Sequence, residues 1–203
     1  MSLLKYIQNG YHFEDYLERI EDELEAQIEL DDPKELVPLY AMNLKQSREI
    51  RKNFRYNPGM EKKAKSYQAD LKFLIISEGW CEDAAQIVPI VDRLAETIGA
   101  ECKIILRDEN LELMEEYHTD GSHSVPMIIG VTPEGEEAFR FGPRPSKAME
   151  FTNRFKKDPD KYSKDDFIED LDRFYLENHG QDIISEIIEL IEDYQSDIQT
   201  EEE

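Results

Sequence analysis

Apolar residues recur at helical spacing along residues 11–30. Phe13, Tyr16, Leu17, Ile20, Leu24 and Ile28 share one face, with charged residues opposite. Asp31-Asp32-Pro33 breaks this helix, and Asp32 is placed to cap the next one with Pro33 at its first position. A second helix is predicted over about residues 34–55, with Leu36, Leu39, Tyr40, Leu44 and Phe54 on its buried side. Asn57-Pro58-Gly59 stops it.

From residue 71 the texture changes. Residues 71–77 (LKFLIIS) are a short apolar run rich in β-branched residues, the mark of a buried strand. Gly79-Trp80-Cys81 turns the chain into a helix over residues 82–98, which contains Pro89 and ends at Gly99. A second strand follows at 102–107, then a short helix at 110–118. Strands at 125–131 and 136–141 flank the hairpin signal Pro133-Glu134-Gly135, and a helix covers 145–157. The crossover helix between the first two strands implies parallel pairing there, and the hairpin supplies an antiparallel pair. The expected fold is α/β, a mixed sheet flanked by helices.

Two more helical patterns close the chain, at 164–178 and 181–198, separated by His179-Gly180. Phe167, Leu171, Phe174 and Tyr175 line the first. Ile183, Ile184, Ile187, Ile188, Ile191 and Tyr194 line the second. Both stripes need a partner surface, on the main domain or on a second protomer. Residues from about Ser196 onward are expected to fray.

Charge sharpens this division. The 203 residues carry a formal charge of −23. Residues 1–32 contribute −8, residues 158–203 contribute −14, and residues 33–157 only −1. The acidity belongs to the ends, and chemistry is sought in the nearly neutral middle. Such a charge disfavours nucleic acid or an anionic membrane as partner. The basic stretch 45–65 is expected to meet the acidic terminal helices, internally or in a homodimer. With no signal-like h-region and no apolar run of 18 residues, the expected location is the cytoplasm.

Cys81 follows a strand and precedes a helix. Free N–H groups and the positive end of the helix dipole favour its thiolate, the nucleophilic form. Glu82 and Asp83 oppose this with nearby negative charge. Cys102, at the start of the second strand, lies at the other pole of the sheet and reads as a packing residue.

The run Trp80-Cys81 with Pro89 eight residues on, Ser124-Val125-Pro126 at a later strand, and Phe141-Gly142 after the hairpin resemble the thioredoxin superfamily. The wording WCEDAAQ, RDEN, SVPMII and FGPRP is similar to a bacterial thioredoxin-like subfamily. The resemblance implies a thioredoxin-like domain at 67–157, with an N-terminal helical extension at 1–66 and acidic C-terminal helices at 158–203. It implies Cys81 as the catalytic residue and a cis Pro126. The groove it implies is built from Trp80, Val125, Pro126, Gly142 and Arg144, where the Val125 backbone can pair with a bound peptide strand. One departure stands out: the usual C-x-x-C is Cys81-Glu82-Asp83-Ala84, without a resolving cysteine. Three uses of Cys81 remain. The first reading is a single-cysteine thiol–disulfide oxidoreductase, in which Cys81 forms a mixed disulfide that an external thiol resolves; the rivals are a sensor acting through sulfenic acid and a non-catalytic interaction module. Expected substrates are protein or small thiols and disulfides, with no bound cofactor.

Further candidates are weighed the same way. The resemblance places the loop of His123, three residues before Pro126, near Cys81, where the ring can stabilise a thiolate; the alternative is a solvated loop histidine. His118, His123 and Asp120 are weak grounds for a metal site, and none is assigned. Arg144, in Gly142-Pro143-Arg144-Pro145, contacts an anionic partner group or merely sits in a fixed turn. The acidic run from Asp158 lacks the calcium-loop glycine at its sixth position, Ser163.

Overall fold

The structure is a computed structural model, and it describes residues 2–29, 36–67, 70–118 and 121–201. The break at Asp31-Asp32-Pro33 and the cap assigned to Asp32 lie outside the described residues. In chain order the elements are α1 (Leu4–Asn9), α2 (Phe13–Ile28), α3 (Val37–Asn53), α4 (Met60–Ser66), β1 (Lys72–Ser77), α5 (Glu82–Ile98) and β2 (Glu101–Leu106). They continue with α6 (Leu111–Met114), β3 (Met127–Val131), β4 (Glu137–Phe141), α7 (Ser146–Lys157), α8 (Lys164–Asn178) and α9 (Gln181–Glu201).

The sheet order is β2-β1-β3-β4. β1 and β2 run parallel, while β1 with β3 and β3 with β4 are antiparallel. The fold is therefore the expected mixed α/β sheet flanked by helices. Phe73, Leu74, Ile75 and Ile76 are all fully buried, because helices cover both faces of β1. That is why its sequence is a continuous apolar run and not an alternation. Gly99 ends α5 in the left-handed conformation, φ 74°.

The N-terminal helices are part of the same core. Residues from α1, α2, α3, α5, the strands, α8 and α9 form one hydrophobic cluster. Tyr11 pairs its backbone with Ile104 through two hydrogen bonds of 2.7 and 2.9 Å, bringing the segment after α1 to the open edge of β2. α2 and α3 then reach the turn that carries the reactive position. Tyr16 Oη lies 2.7 Å from Ser77 Oγ at the end of β1. Asn43 donates to the Gly79 carbonyl at 3.0 Å. Ile20 and Tyr40 approach Gly79 so closely that a Cβ there would lie 2.8 Å from each.

The C-terminal stripes find their partner surface within the chain. Ile183, Ile184, Ile187, Ile188 and Ile191 are buried, with α9 packed on β4 and α5. Gly180 allows this approach, since a Cβ there would meet Ile90 Cδ1 at 2.1 Å. Glu186 of α9 accepts both the N–H and the hydroxyl of Ser146, at 2.9 and 3.0 Å, and so caps α7. α8 packs on α7 through the stacked rings of Phe155 and Phe167. α9 continues past Ser196 as helix, where fraying was expected. The basic stretch is met from several sides. Arg48 pairs with Glu21, Arg51 with Asp92 and Glu96, and Lys63 with Glu192.

Gly79→Ala tests the packing of the N-terminal helices on the site. Overpacking of this kind costs about 1–3 kcal/mol. The expected outcome is a lower midpoint in chemical unfolding; an unchanged midpoint would show that α2 and α3 do not press on this turn.

Candidate functional site

Cys81 occupies the N-cap of α5, immediately after the turn that follows β1. Its position follows from the sequence: β1 must stay extended to remain buried, Gly79 fits beneath Ile20 and Tyr40, and the helix begins at Glu82. Cys81 is 8% exposed. Its S–H donates to the Val125 carbonyl at 3.2 Å. The Val125–Pro126 peptide is cis. Gly142 packs against the same loop, at φ 132°, where a Cβ would fall 2.4 Å from the Pro126 carbonyl oxygen. Cys81, Val125, Pro126 and Gly142 are thus brought together.

Competing effects act on the sulfur. Backbone N–H groups of Ala84 and Asp83 and the Arg144 guanidinium favour thiolate. Burial opposes it most strongly, followed by the Asp83 carboxylate. The result is a thiol pushed up to about 12. The helix N-terminus does not prevail over burial and the adjacent charge.

Asp83 is the hub of the site. Arg144 grips it with two guanidinium nitrogens, at 2.8 and 2.5 Å. The Tyr175 hydroxyl of α8 donates to the same carboxylate at 2.7 Å. Arg144 also donates to Thr152 Oγ1 at 2.8 Å and lies over the Phe167 ring. Arg144 therefore meets an anionic group, but an internal one. The Tyr175 phenol is held well above its ordinary value by burial and by the Asp83 charge, so it remains a donor.

The remaining candidates make contacts of their own. Trp80 is half-buried with Arg107 stacked over its ring at 4.7 Å. His123 places Nε2 3.2 Å from Glu115 Oε1, and its carbonyl accepts from Arg107. Its ring is engaged by Glu115 rather than by Cys81. His118 Nδ1 lies 2.9 Å from the Glu115 carbonyl, and Asp120 lies outside the described residues. Among the described residues no group of three or more His, Cys, Asp and Glu side chains could hold a metal ion. Glu82 is exposed, and its carboxyl is raised by partial loss of water and by Asp172 and Asp83. Cys102 is buried and in register with Phe73. About 13 Å of β1 separates that register position from Ser77, before the turn to Cys81 begins.

Sequence reasoning missed Tyr175 and Glu78. Tyr175 stood out only as one of an apolar stripe; its hydroxyl partner lies 92 residues away. Glu78 gave a faint signal, a charged residue directly after an apolar strand. Its side chain is 4% exposed and accepts the Asp108 N–H at 2.8 Å. Burial pushes its carboxyl up to about 7, against the pull of that N–H, with the Asp108 and Glu23 carboxylates adding to the rise.

A mixed four-stranded sheet, with a cysteine at the start of the crossover helix facing a cis proline, is a thioredoxin fold. A family model described as Thioredoxin (Thioredoxin_9) matches residues 30–156, more than half of the chain. The chain belongs to the thioredoxin family. Two solved structures share the fold over 95% of this chain, each at 14% identity. One is an HIV epitope scaffold, TM-score 0.64 with 99% of that chain covered. The other is a protein of unknown function from Pseudomonas aeruginosa, TM-score 0.61 with 98% of that chain covered. No curated protein matches the chain. No helix among the described residues is long and apolar enough to cross a membrane.

Glu78 makes a pH prediction. Between the unfolded carboxyl value, about 4.3, and about 7, the native state keeps a proton that the unfolded state has released. Rising pH therefore costs stability across that window. Glu78→Gln removes this dependence, so its unfolding free energy should gain on wild type from pH 5 to pH 8. A constant difference across that range would contradict the assignment.

Proposed function

We propose that the protein is a thioredoxin-fold interaction module in which Cys81 is a guarded thiol and not a standing nucleophile. The observation that supports this best is the Asp83 carboxylate, pinned beside the buried sulfur by Arg144 and Tyr175. Burial and the Asp83 carboxylate push the Cys81 thiol up to about 12, which disfavours the thiolate at neutral pH. Ala84 offers no resolving sulfur. The Val125–Pro126 segment with Gly142 would serve as the recognition surface for a protein or peptide segment, bound without a covalent step. A segment pairing with the Val125 carbonyl would compete with the Cys81 S–H.

A second reading is single-cysteine thiol–disulfide exchange. It draws support from the Asp83 and Ala84 N–H groups that favour a thiolate at Cys81. In that chemistry the Cys81 thiolate attacks one sulfur of a partner disulfide. A mixed disulfide forms and the partner's other sulfur leaves as thiolate. An external thiol of the glutathione class, itself as thiolate, then attacks the partner's sulfur in the mixed disulfide. Cys81 is released reduced, and the partner carries a disulfide to the external thiol.

The pH dependence of Cys81 alkylation by iodoacetamide separates the two readings, with Cys102→Ala as background. For the module, the rate rises without a plateau through pH 10. Asp83→Asn removes the adjacent charge and should react about tenfold faster at pH 8. A wild-type plateau at or below pH 8.5, with mixed disulfide formed from oxidised glutathione at pH 7, would overturn the module reading in favour of exchange.

A further inference from the structure

A chain that carries −23 overall gathers positive charge at the end of α3. Arg48, Arg51 and Lys52 stand three and four residues apart on that helix, and Arg55 follows just past its end. Like charges at these intervals cost helix stability. Arg93 of α5 and Phe13 and Glu14 of α2 close the row into a depression of about 660 Å³. That volume lies within the range of small-ligand sites, roughly 300–1,000 Å³. Five cations and one carboxylate, Glu14, line it.

These cations are not equally engaged. Arg51 is held by Asp92 and Glu96, and Arg93 by Glu96. Arg48 meets Glu21 at 2.6 Å, but both side chains are nearly half exposed, and a pair of that kind gives way at little cost. Arg55 donates from one guanidinium nitrogen to the carbonyls of Lys52 and Phe54. Among the described residues, no carboxylate pairs with Lys52 or Arg55. The positive charge left over therefore lies at Lys52 and Arg55, with Arg48 readily added to it.

The arrangement selects the anion. A single negative charge faces repulsion from Glu14 and from the net charge of the chain, so a ligand needs several charges to hold here. The row extends roughly 6 Å from Arg48 to Lys52, and Arg55 carries it past the helix end. A compact anion meets one or two of these cations, whereas a linear chain of phosphates meets all three. Guanidinium groups take phosphate oxygens through paired hydrogen bonds, and lysine takes them as a point charge. Phe13 is 4% exposed, with Arg51 over its ring, so it offers no free face for a nucleobase. We propose that this depression binds a linear polyphosphate chain, inorganic or the triphosphate end of a nucleotide, along Arg48, Lys52 and Arg55. This inference depends neither on the chemistry of Cys81 nor on the recognition surface at Pro126.

Isothermal titration of the full chain with linear tripolyphosphate at low salt, without magnesium, tests the site. Cyclic trimetaphosphate is the compact comparison, and ATP separates the two sources of the chain. The expected result is saturable one-to-one binding of tripolyphosphate, ATP within tenfold of it, and trimetaphosphate tenfold weaker or worse. Lys52→Glu and Arg55→Glu should each weaken tripolyphosphate tenfold or more. Lys161→Glu reverses an 86% exposed charge outside the depression and should change the affinity by less than tenfold. Lys52 makes no ion pair among the described residues, so its variant should melt as wild type and report on binding alone. No saturable binding, trimetaphosphate bound as well as the linear chain, or ATP preferred by more than tenfold would overturn the proposal. So would wild-type affinity in Lys52→Glu, or an equal loss in Lys161→Glu.

Discussion

The carboxylate of Asp83 is the point on which this structure turns. It lies on the first turn of α5, two residues after Cys81, and is buried. A buried carboxylate must be paired, or its desolvation goes uncompensated. Arg144, from the turn after β4, supplies the charge and Tyr175, from α8, supplies a third hydrogen bond. One side chain thus ties the crossover helix, the hairpin turn and the C-terminal helices to one another. Removing a partner from such a pair typically costs about 3–5 kcal/mol.

The same carboxylate also bears on the thiol at the head of α5. A cysteine at a helix N-terminus beside a cis proline is a frame for thiolate chemistry, and burial alone would already weaken it. Asp83 adds a fixed negative charge beside the sulfur, and the third residue on from Cys81 is alanine. Arg144 moderates the charge and does not cancel it, since Asp83 remains the second largest influence raising the thiol. The N-terminal helices bear on the same site, because Ile20, Tyr40 and Asn43 fix the Gly79 turn from which Cys81 emerges.

Much of this was legible in the chain. The apolar run of β1, the interval from Glu82 to Gly99, the hairpin and both acidic helices are strong local patterns, and the structure places elements on each of them. α1 and α4 escaped notice because six or seven residues carry too little periodicity to register. The short helix expected at 110–118 shrinks to Leu111–Met114, preceded by a 3-10 turn at Arg107–Glu109. The pairing of sites is a different matter. Asp83 was visible as a charge near the thiol, but its partners stand 61 and 92 residues away in sequence. No spacing rule reaches that far. His123 was placed near Cys81 by proximity to Pro126, yet a nearer carboxylate, Glu115, takes its ring.

The most direct measurement is a double-mutant cycle in chemical unfolding between Asp83→Ala and Tyr175→Phe. If Asp83 is the tie between α5 and α8, the two substitutions are coupled by about 1 kcal/mol or more, because the second has nothing left to remove once the first is made. Additivity within about 0.5 kcal/mol would contradict the account, leaving α8 held by its aromatic packing.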